Sequence, residues 1–225
     1  MDQVGKGVLS IRFGCSYEKV LRTDAEGQTV NTASYGAGSW QYAATDYNDD
    51  GQAVREWSTG DIDAIRDGRL GAPDAGTLTV YNTENPDMLA GTVVTDTYAT
   101  ARFVTLDNGT RAWARPKLHT DYDETAPAGV SPGLPTTQTA TVVNPATTNT
   151  LDTLSVVKTS YGDAIDGDPE AGWNMGLADS TTTVIPGGTD IVSTTRYDAQ
   201  GRVISQRCPA SRTWQGFLGL KGGCR

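Results

Sequence analysis

Along most of this chain apolar and polar residues alternate in short runs, broken by Gly, Asn, Asp and Pro. Segments 78–81, 93–98, 136–143, 154–161, 179–185 and 191–207 have this form and are rich in Thr and Val, the composition of half-buried strands. Arg102-Phe-Val-Thr-Leu106 and Thr110-Arg-Ala-Trp-Ala114 flank Asp107-Asn108-Gly109, and the Asn108-Gly109 pair is a strong hairpin signal. Only segment 58–71 carries a helical period. There Ile62, Ile65 and Leu70 share a face, Thr59 or Asp61 supplies a cap, and Gly71 with Pro73 supplies a stop. The pattern predicts an all-β chain of antiparallel hairpins with one short helix near 59–70.

The turns between these strands repeat. In Tyr197-Asp198-Ala199-Gln200-Gly201-Arg202 the Asp198 carboxylate can accept a backbone amide, Gly201 supplies the left-handed position, and Arg202 starts the return strand. Arg22-Thr23-Asp24-Ala25-Glu26-Gly27-Gln28 keeps the Arg, Asp, Ala and Gly of the unit that starts at Arg196. A third copy reads Tyr47-Asn48-Asp49-Asp50-Gly51-Gln52, and Thr23 and Tyr47 lie 24 residues apart, a period typical of stacked supersecondary units. A longer repeat runs from Tyr122-Asp123-Glu124 to Gly133-Leu134, and again from Tyr161-Gly162-Asp163 to Gly176-Leu177, each followed by a Thr-rich strand. Within it, 126–135 and 163–173 read as loops, because Pro, Gly and acidic residues crowd both.

Composition narrows the function. Hydrophobic residues make up only 37% of the 225, with 26 glycines, which favours many half-buried strands over one thick core. A net charge of −9 argues against nucleic acid as a partner, since phosphate neutralisation needs clustered Lys and Arg. No apolar run approaches the ~20 residues of a membrane span. Cys15, Cys208 and Cys224 lack metal-ligand spacing and can close at most one disulfide.

Candidate chemistry is sparse, and the expectation is a non-enzyme with no catalytic residue, no cofactor and no metal site. Asp46, Asn48, Asp50 and Gly51 match the first half of a calcium loop, yet Trp57 stands where the bidentate Glu is needed and Glu56 is one place early. His119 is the only histidine, and no nucleophile elbow accompanies it. Trp40, Trp57, Trp113, Trp173 and Trp214 are expected to bury between hairpins; an exposed row would instead stack on sugars.

The ordered set of Tyr-Asp-Ala-Gln-Gly-Arg-Val from Tyr197, Tyr-Asn-Asp-Asp-Gly-Gln from Tyr47, Tyr-Asp-Glu-Thr-Ala-Pro from Tyr122, and Trp173-Asn-Met-Gly-Leu before a Thr run resembles the RHS/YD-repeat family. The likeness is to its long secreted or wall-associated actinobacterial members, and spans roughly 20–209. It implies a β-hairpin ribbon that spirals into a shell, often around a toxic C-terminal domain of the same polypeptide. The chain then divides into an irregular segment 1–15, a single repeat domain 16–209, and an atypical tail 210–225. Some members carry a self-cleaving Asp-Pro-x-Gly motif after the repeats; in Asp168-Pro-Glu-Ala-Gly172 the glycine falls one place late, so no such site is expected.

The expected role is structural: part of a wall that encloses or presents a toxin or effector. Its partners would be neighbouring repeats and the enclosed domain, and the parent protein would be extracellular or wall-associated. The alternative is a surface adhesin module that binds cell-wall or other glycans. The residues assigned to the repeat turns, a structural rather than catalytic set, are Asp24, Gly27, Tyr47, Gly51, Asn108, Gly109, Tyr197, Asp198, Gly201 and Arg202.

Overall fold

Alternation dominates, and in the computed structural model the regular structure of the described residues is almost entirely strand. Residues 8–13, 17–36, 38–83 and 90–208 are described, with side chains from residue 18 onward. The strands are β1 (Val8–Phe13), β2 (Tyr17–Thr23), β3 (Thr29–Gly36), β4 (Ser39–Tyr47), β5 (Ala53–Trp57), β6 (Thr77–Tyr81) and β7 (Val94–Tyr98). They continue as β8 (Arg102–Thr105), β9 (Arg111–Tyr122), β10 (Pro135–Val143), β11 (Thr150–Ser160), β12 (Ser180–Val184), β13 (Ile191–Tyr197) and β14 (Val203–Arg207). Two short helices, α1 (Thr59–Arg66) and α2 (Pro169–Met175), and a 3-10 turn at Ala72–Asp74 complete the fold. β1 lies within the stretch expected to be irregular, whereas Cys15, Trp214, Cys224 and the tail 210–225 fall outside the described residues.

Strand order follows chain order from β1 to β14, with only β8 off the path as a side strand on β9. Ladders β1 to β7 and β11 to β14 are antiparallel throughout, as short hairpin turns require. This is the all-β hairpin architecture that the alternation predicts. Cys208, just after β14, is disulfide-bonded. Among the described residues no helix is long and apolar enough to cross a membrane.

The chain forms two compact units. One comprises Met1–Asn85, Leu89–Leu118 and Thr141–Asp152, and the other Pro86–Met88, His119–Ala140 and Thr153–Arg225. In the first, the buried apolar side chains include Ala75, Ala101, Ala114, Val142 and Val143, with Arg115 only 4% exposed. Arg115 fits there because every nitrogen of its fork donates, Nε to the Ala99 carbonyl at 2.8 Å and the terminal nitrogens to Pro73 at 3.3 Å and Gly76 at 2.6 Å. Arg55 caps the same turn, bonding the carbonyls of Ala72, Pro73 and Ala75 at 2.6, 2.9 and 2.9 Å. Burial, and then the charge of Arg55, push the Arg115 guanidinium below its usual range. In the second unit Tyr161, Ala164, Ile165 and Trp173 are buried together.

Both helices depart in detail from the sequence reading. The cap of α1 is Ser58, not Thr59 or Asp61; its hydroxyl accepts the Asp61 amide while Asp61 reaches back to the Ser58 amide, a reciprocal capping box. The helix ends at Arg66, and the amides of Arg69 and Leu70 fold back onto the Ala64 carbonyl, at 2.9 and 3.1 Å. Pro73 opens the next turn instead of stopping the helix. The second helix corrects the expectation of one helix only, since α2 occupies part of 163–173, expected to be loop. Asp168 caps it by accepting the Ala171 amide at 3.0 Å, Pro169 sits in its first turn, and Gly176 closes it at φ 65°. Gly172 is required because a Cβ there would come within 1.9 Å of the Tyr161 carbonyl oxygen. That approach seats Trp173 against the Tyr161 ring, with centroids 4.9 Å apart.

Candidate functional site

Five turns share one closure. The amides of Asp24, Asn48, Asn82, Asp123 and Asp198 donate to the carbonyls of Gln28, Gln52, Val93, Leu134 and Arg202, at 2.9 to 3.0 Å. In return each side-chain oxygen accepts the amide of that same closing residue, at 2.7, 2.8, 3.0, 2.9 and 2.9 Å. An Asx side chain therefore stands in for a backbone carbonyl, and loops of different length close identically. In the three tight copies the left-handed glycine is Gly27, Gly51 or Gly201, with φ of 86, 78 and 75°. A register shift precedes the turn at Thr23, Tyr47, Tyr81 and Tyr197, so the residue before the Asx occupies a β-bulge.

At Tyr47 and Tyr81 the bulge residue is a tyrosine that reaches backward, and Tyr161 makes the same kind of reach. The Tyr47 hydroxyl donates to the Thr29 carbonyl at 3.2 Å, Tyr81 to Ala53 at 3.2 Å, and Tyr161 to Pro135 at 3.1 Å. Each acceptor directly follows the closing residue of an earlier turn, so these three tyrosines latch back onto an earlier hairpin. Tyr197 makes the corresponding reach to Ala178 at 3.3 Å.

Of the residues assigned to repeat turns, the structure groups Asp24 and Gly27, Tyr47 and Gly51, and Tyr197 with Asp198, Gly201 and Arg202 into this shared module. Asn108 and Gly109 form a different turn. There Leu106 holds the Asx position, its amide donating to the Thr110 carbonyl at 2.9 Å, and Asn108 Oδ1 accepts the Thr110 amide at 2.9 Å from inside the turn. Tyr81-Asn82 is a copy that sequence reading missed, because a long insertion separates Asn82 from its closing Val93. Its signal was the Tyr-Asn pair itself.

The other candidates have structural partners. Asn48 Oδ1, third position of the calcium-like string, accepts amides from Asp50 and Gln52 at 3.2 and 2.8 Å, while Asp46 pairs with Arg55 in the ladder. Among the described residues no group of three or more His, Cys, Asp or Glu side chains is set to hold a metal. His119 Nε2 lies 3.1 Å from Asp121 Oδ1 on the same strand. Hydrogen bonds from the Arg202 amide, and then from its side chain and the Gln200 amide, outweigh desolvation and hold the Asp198 carboxyl below the ordinary carboxylate range. Burial, with the Asp123 charge added, raises the Tyr161 phenol.

Aromatic burial is split. Trp173 is 1% exposed, as expected of a stacked ring, but Trp40 is 38% exposed and Tyr35 and Tyr42 are 37 and 36%. Tyr35 meets Trp40 edge-on, at 5.5 Å between centroids. Two shallow grooves border this cluster. One of about 370 Å³ has Val20, Asn31, Ala33, Tyr42 and Ile62 in its lining, and one of about 590 Å³ has Trp40, Gln41, Tyr42, Asp63 and Arg66.

No family model matches the sequence, and no curated protein matches it. Among solved structures, the chain is similar to a chain of a mutated Photorhabdus luminescens Tc holotoxin pore at 9% identity and a TM-score of 0.21. The similarity covers 85% of this chain and 13% of that one, so the sequence spans about an eighth of the length of the protein it matches.

Proposed function

We propose that this chain is a non-catalytic structural segment of the RHS/YD-repeat kind, part of a β-hairpin wall that encloses or presents an effector domain of the same polypeptide. The observation that carries this reading is the hydroxyl latch: Tyr47 to Thr29 and Tyr81 to Ala53 join successive hairpins by the same bond at the same place in the module. Such contacts make stability a sum over neighbours, as in repeat proteins, and commit the Asx and Tyr side chains to structure.

The outer strands agree with this role. β3 and β5, second strands of their modules, have the next strand against them and are largely half-buried. β14 holds the same place after the Asp198 turn, comes last in the strand order among the described residues, and has Val203 and Ile204 exposed. A wall continues by covering such an edge. The test is to compare this chain with one extended by the coding sequence on either side. The reading expects the longer chain to unfold at higher denaturant with a larger m-value, and the shorter to self-associate. A short chain that is monomeric, and gains no stability on extension, contradicts it.

A further inference from the structure

Strand β8 is paired on one side only. Its register sets Arg102 against Ala114, Phe103 against Trp113, Val104 against Ala112 and Thr105 against Arg111, all on β9, and among the described residues no strand lies along its other edge. The phase of the ladder says which groups that edge presents. The Leu106 amide donates to the Thr110 carbonyl at 2.9 Å, so Leu106, Val104 and Arg102 turn their backbone groups toward β9. Phe103 and Thr105 then turn theirs away from it. The Ala101 amide, in the same outward phase, donates to the Asp74 carbonyl at 2.8 Å. Past Asp74, nothing among the described residues takes the outward N–H and C=O groups of Phe103 and Thr105.

Edges of this kind are normally blunted by Lys, Pro, a bulge or a covering element. β8 contains neither Lys nor Pro, and its ladder runs without a register shift. Arg102, Phe103 and Thr105 are all exposed, Phe103 by 61%. The Phe103 ring is backed by Trp113 at 5.1 Å between centroids, and the Arg111 guanidinium lies 5.2 Å from its centre. Neither Arg102 nor Arg111 has a carboxylate partner among the described residues. The Asp74 and Asp152 carboxylates that meet this hairpin accept the Trp113 indole N–H at 3.1 Å and the Asp107 amide at 2.7 Å.

These groups define what would cover the edge. Backbone donors and acceptors in strand phase call for an extended peptide, the exposed ring for an apolar side chain opposite it, and the two arginines for carboxylates. A second copy of β8 would set the same two arginines against their own kind. We propose that the outer edge of β8 binds an extended acidic segment of a separate protein, which adds as a strand with an apolar residue beside Phe103 and acidic residues beside Arg102 and Arg111. This goes beyond a wall role and does not depend on it.

The probe is the peptide acetyl-Thr-Glu-Val-Tyr-Glu-Thr-amide, which in antiparallel register sets its Tyr against Phe103 and its two Glu beside Arg102 and Arg111. It is titrated into the isotope-labelled full chain and followed by amide NMR. The expected result is a dissociation constant of about 1 mM or tighter, with the Phe103 and Thr105 amides shifting and exchanging more slowly with water. The same peptide with Lys for Glu, or with N-methyl-Tyr for Tyr, should bind at least about tenfold more weakly. Thr105→Pro deletes an outward N–H and no bond to β9, a change that an edge strand accepts, and should abolish binding. Should Thr105→Pro unfold the chain, the two altered peptides test the same contacts on the native protein. No shift at millimolar peptide, equal affinity for the Lys peptide, or shifts confined to residues away from β8 overturns the proposal. So does self-association of the free chain that Thr105→Pro abolishes, which would assign the edge to a second copy; association through β14 would survive that substitution.

Discussion

The Gln28 side-chain amide donates to the Gly51 carbonyl at 3.1 Å, gripping the turn of the next hairpin. Gln52, the residue that closes that turn, repeats the contact on Gly91. With the Tyr47 and Tyr81 hydroxyls this gives two fastenings at each step between the modules at Asp24, Asn48 and Asn82, one between turns and one between strands. Gln28 and Gln52 thus serve the neighbouring turn as well as their own hairpin.

Gln28→Ala should cost about 0.5–1 kcal/mol, the worth of one solvent-accessible hydrogen bond. Gly51→Ala should cost roughly 1–2 kcal/mol from its left-handed backbone alone, and more because a Cβ would come within 2.6 Å of the Gln28 nitrogen. Since removing Gln28 also removes that clash, the double variant should be less damaged than the sum of the singles. Urea melts of the four proteins measure this, and strict additivity would deny the contact.

Each tyrosine latch should be worth about 1 kcal/mol to Tyr→Phe substitution, because the ring stays and only the hydroxyl bond is lost. Tyr161→Phe should be the most costly of Tyr47, Tyr81, Tyr161 and Tyr197, as its side chain is the most buried. Chemical denaturation midpoints rank them. Equal, negligible losses would reduce the latches to incidental contacts.

The Asp61 carboxyl provides a pH test. Burial raises its pKa, but hydrogen bonds from Ser58 and Thr100 outweigh burial and the net shift is downward. The Thr100 hydroxyl donates to it at 2.6 Å. A folded pKa below the unfolded value of about 3.9 gives stability that is present above that pH and lost as pH falls through the lower folded value. Asp61→Asn should therefore be less stable than the native chain at neutral pH, with the gap narrowing below about pH 4. Thermal melts between neutral and strongly acidic pH read the gap directly; a gap that is constant or widens in acid is incompatible with the assigned bonds.

Strand content and the tight turns were legible because two-residue alternation and the Asp–Gly chemistry of the modules at Asp24, Asn48 and Asp198 are local signals. What lay hidden was set by contacts distant in sequence. Tyr81-Asn82 closes only at Val93, so its membership in the series shows when the amide of Val93 meets Asn82 Oδ1. Helix α2 is two turns long, too short for a helical period, and its acids, Gly and Pro read as loop. Its formation depends on the Asp168 cap and on Trp173 finding Tyr161. The exposed face of Trp40 was equally illegible, since residue type favours burial and only the register with Tyr35 fixes which side the ring takes.

Gly172→Ala tests that helix. With the Tyr161 oxygen 1.9 Å from the added Cβ, the helix must move away and unseat Trp173. The loss should approach the roughly 3 kcal/mol of severe overpacking or of emptying a buried aromatic site. Near-ultraviolet circular dichroism should lose Trp173 signal in step. An unchanged spectrum and midpoint would mean that α2 does not pack as described.

The central claim is that this sequence is a stretch of wall. Electron cryomicroscopy of the natural full-length polypeptide, purified from its own cells, tests it most directly. The account predicts one continuous ribbon of hairpins in which Tyr47, Tyr81 and Tyr197 latch successive units, β14 is covered by a further strand, and density for another part of the same polypeptide lies enclosed or presented by the wall. A free-standing β module with nothing enclosed and the outer edge of β14 bare would contradict it.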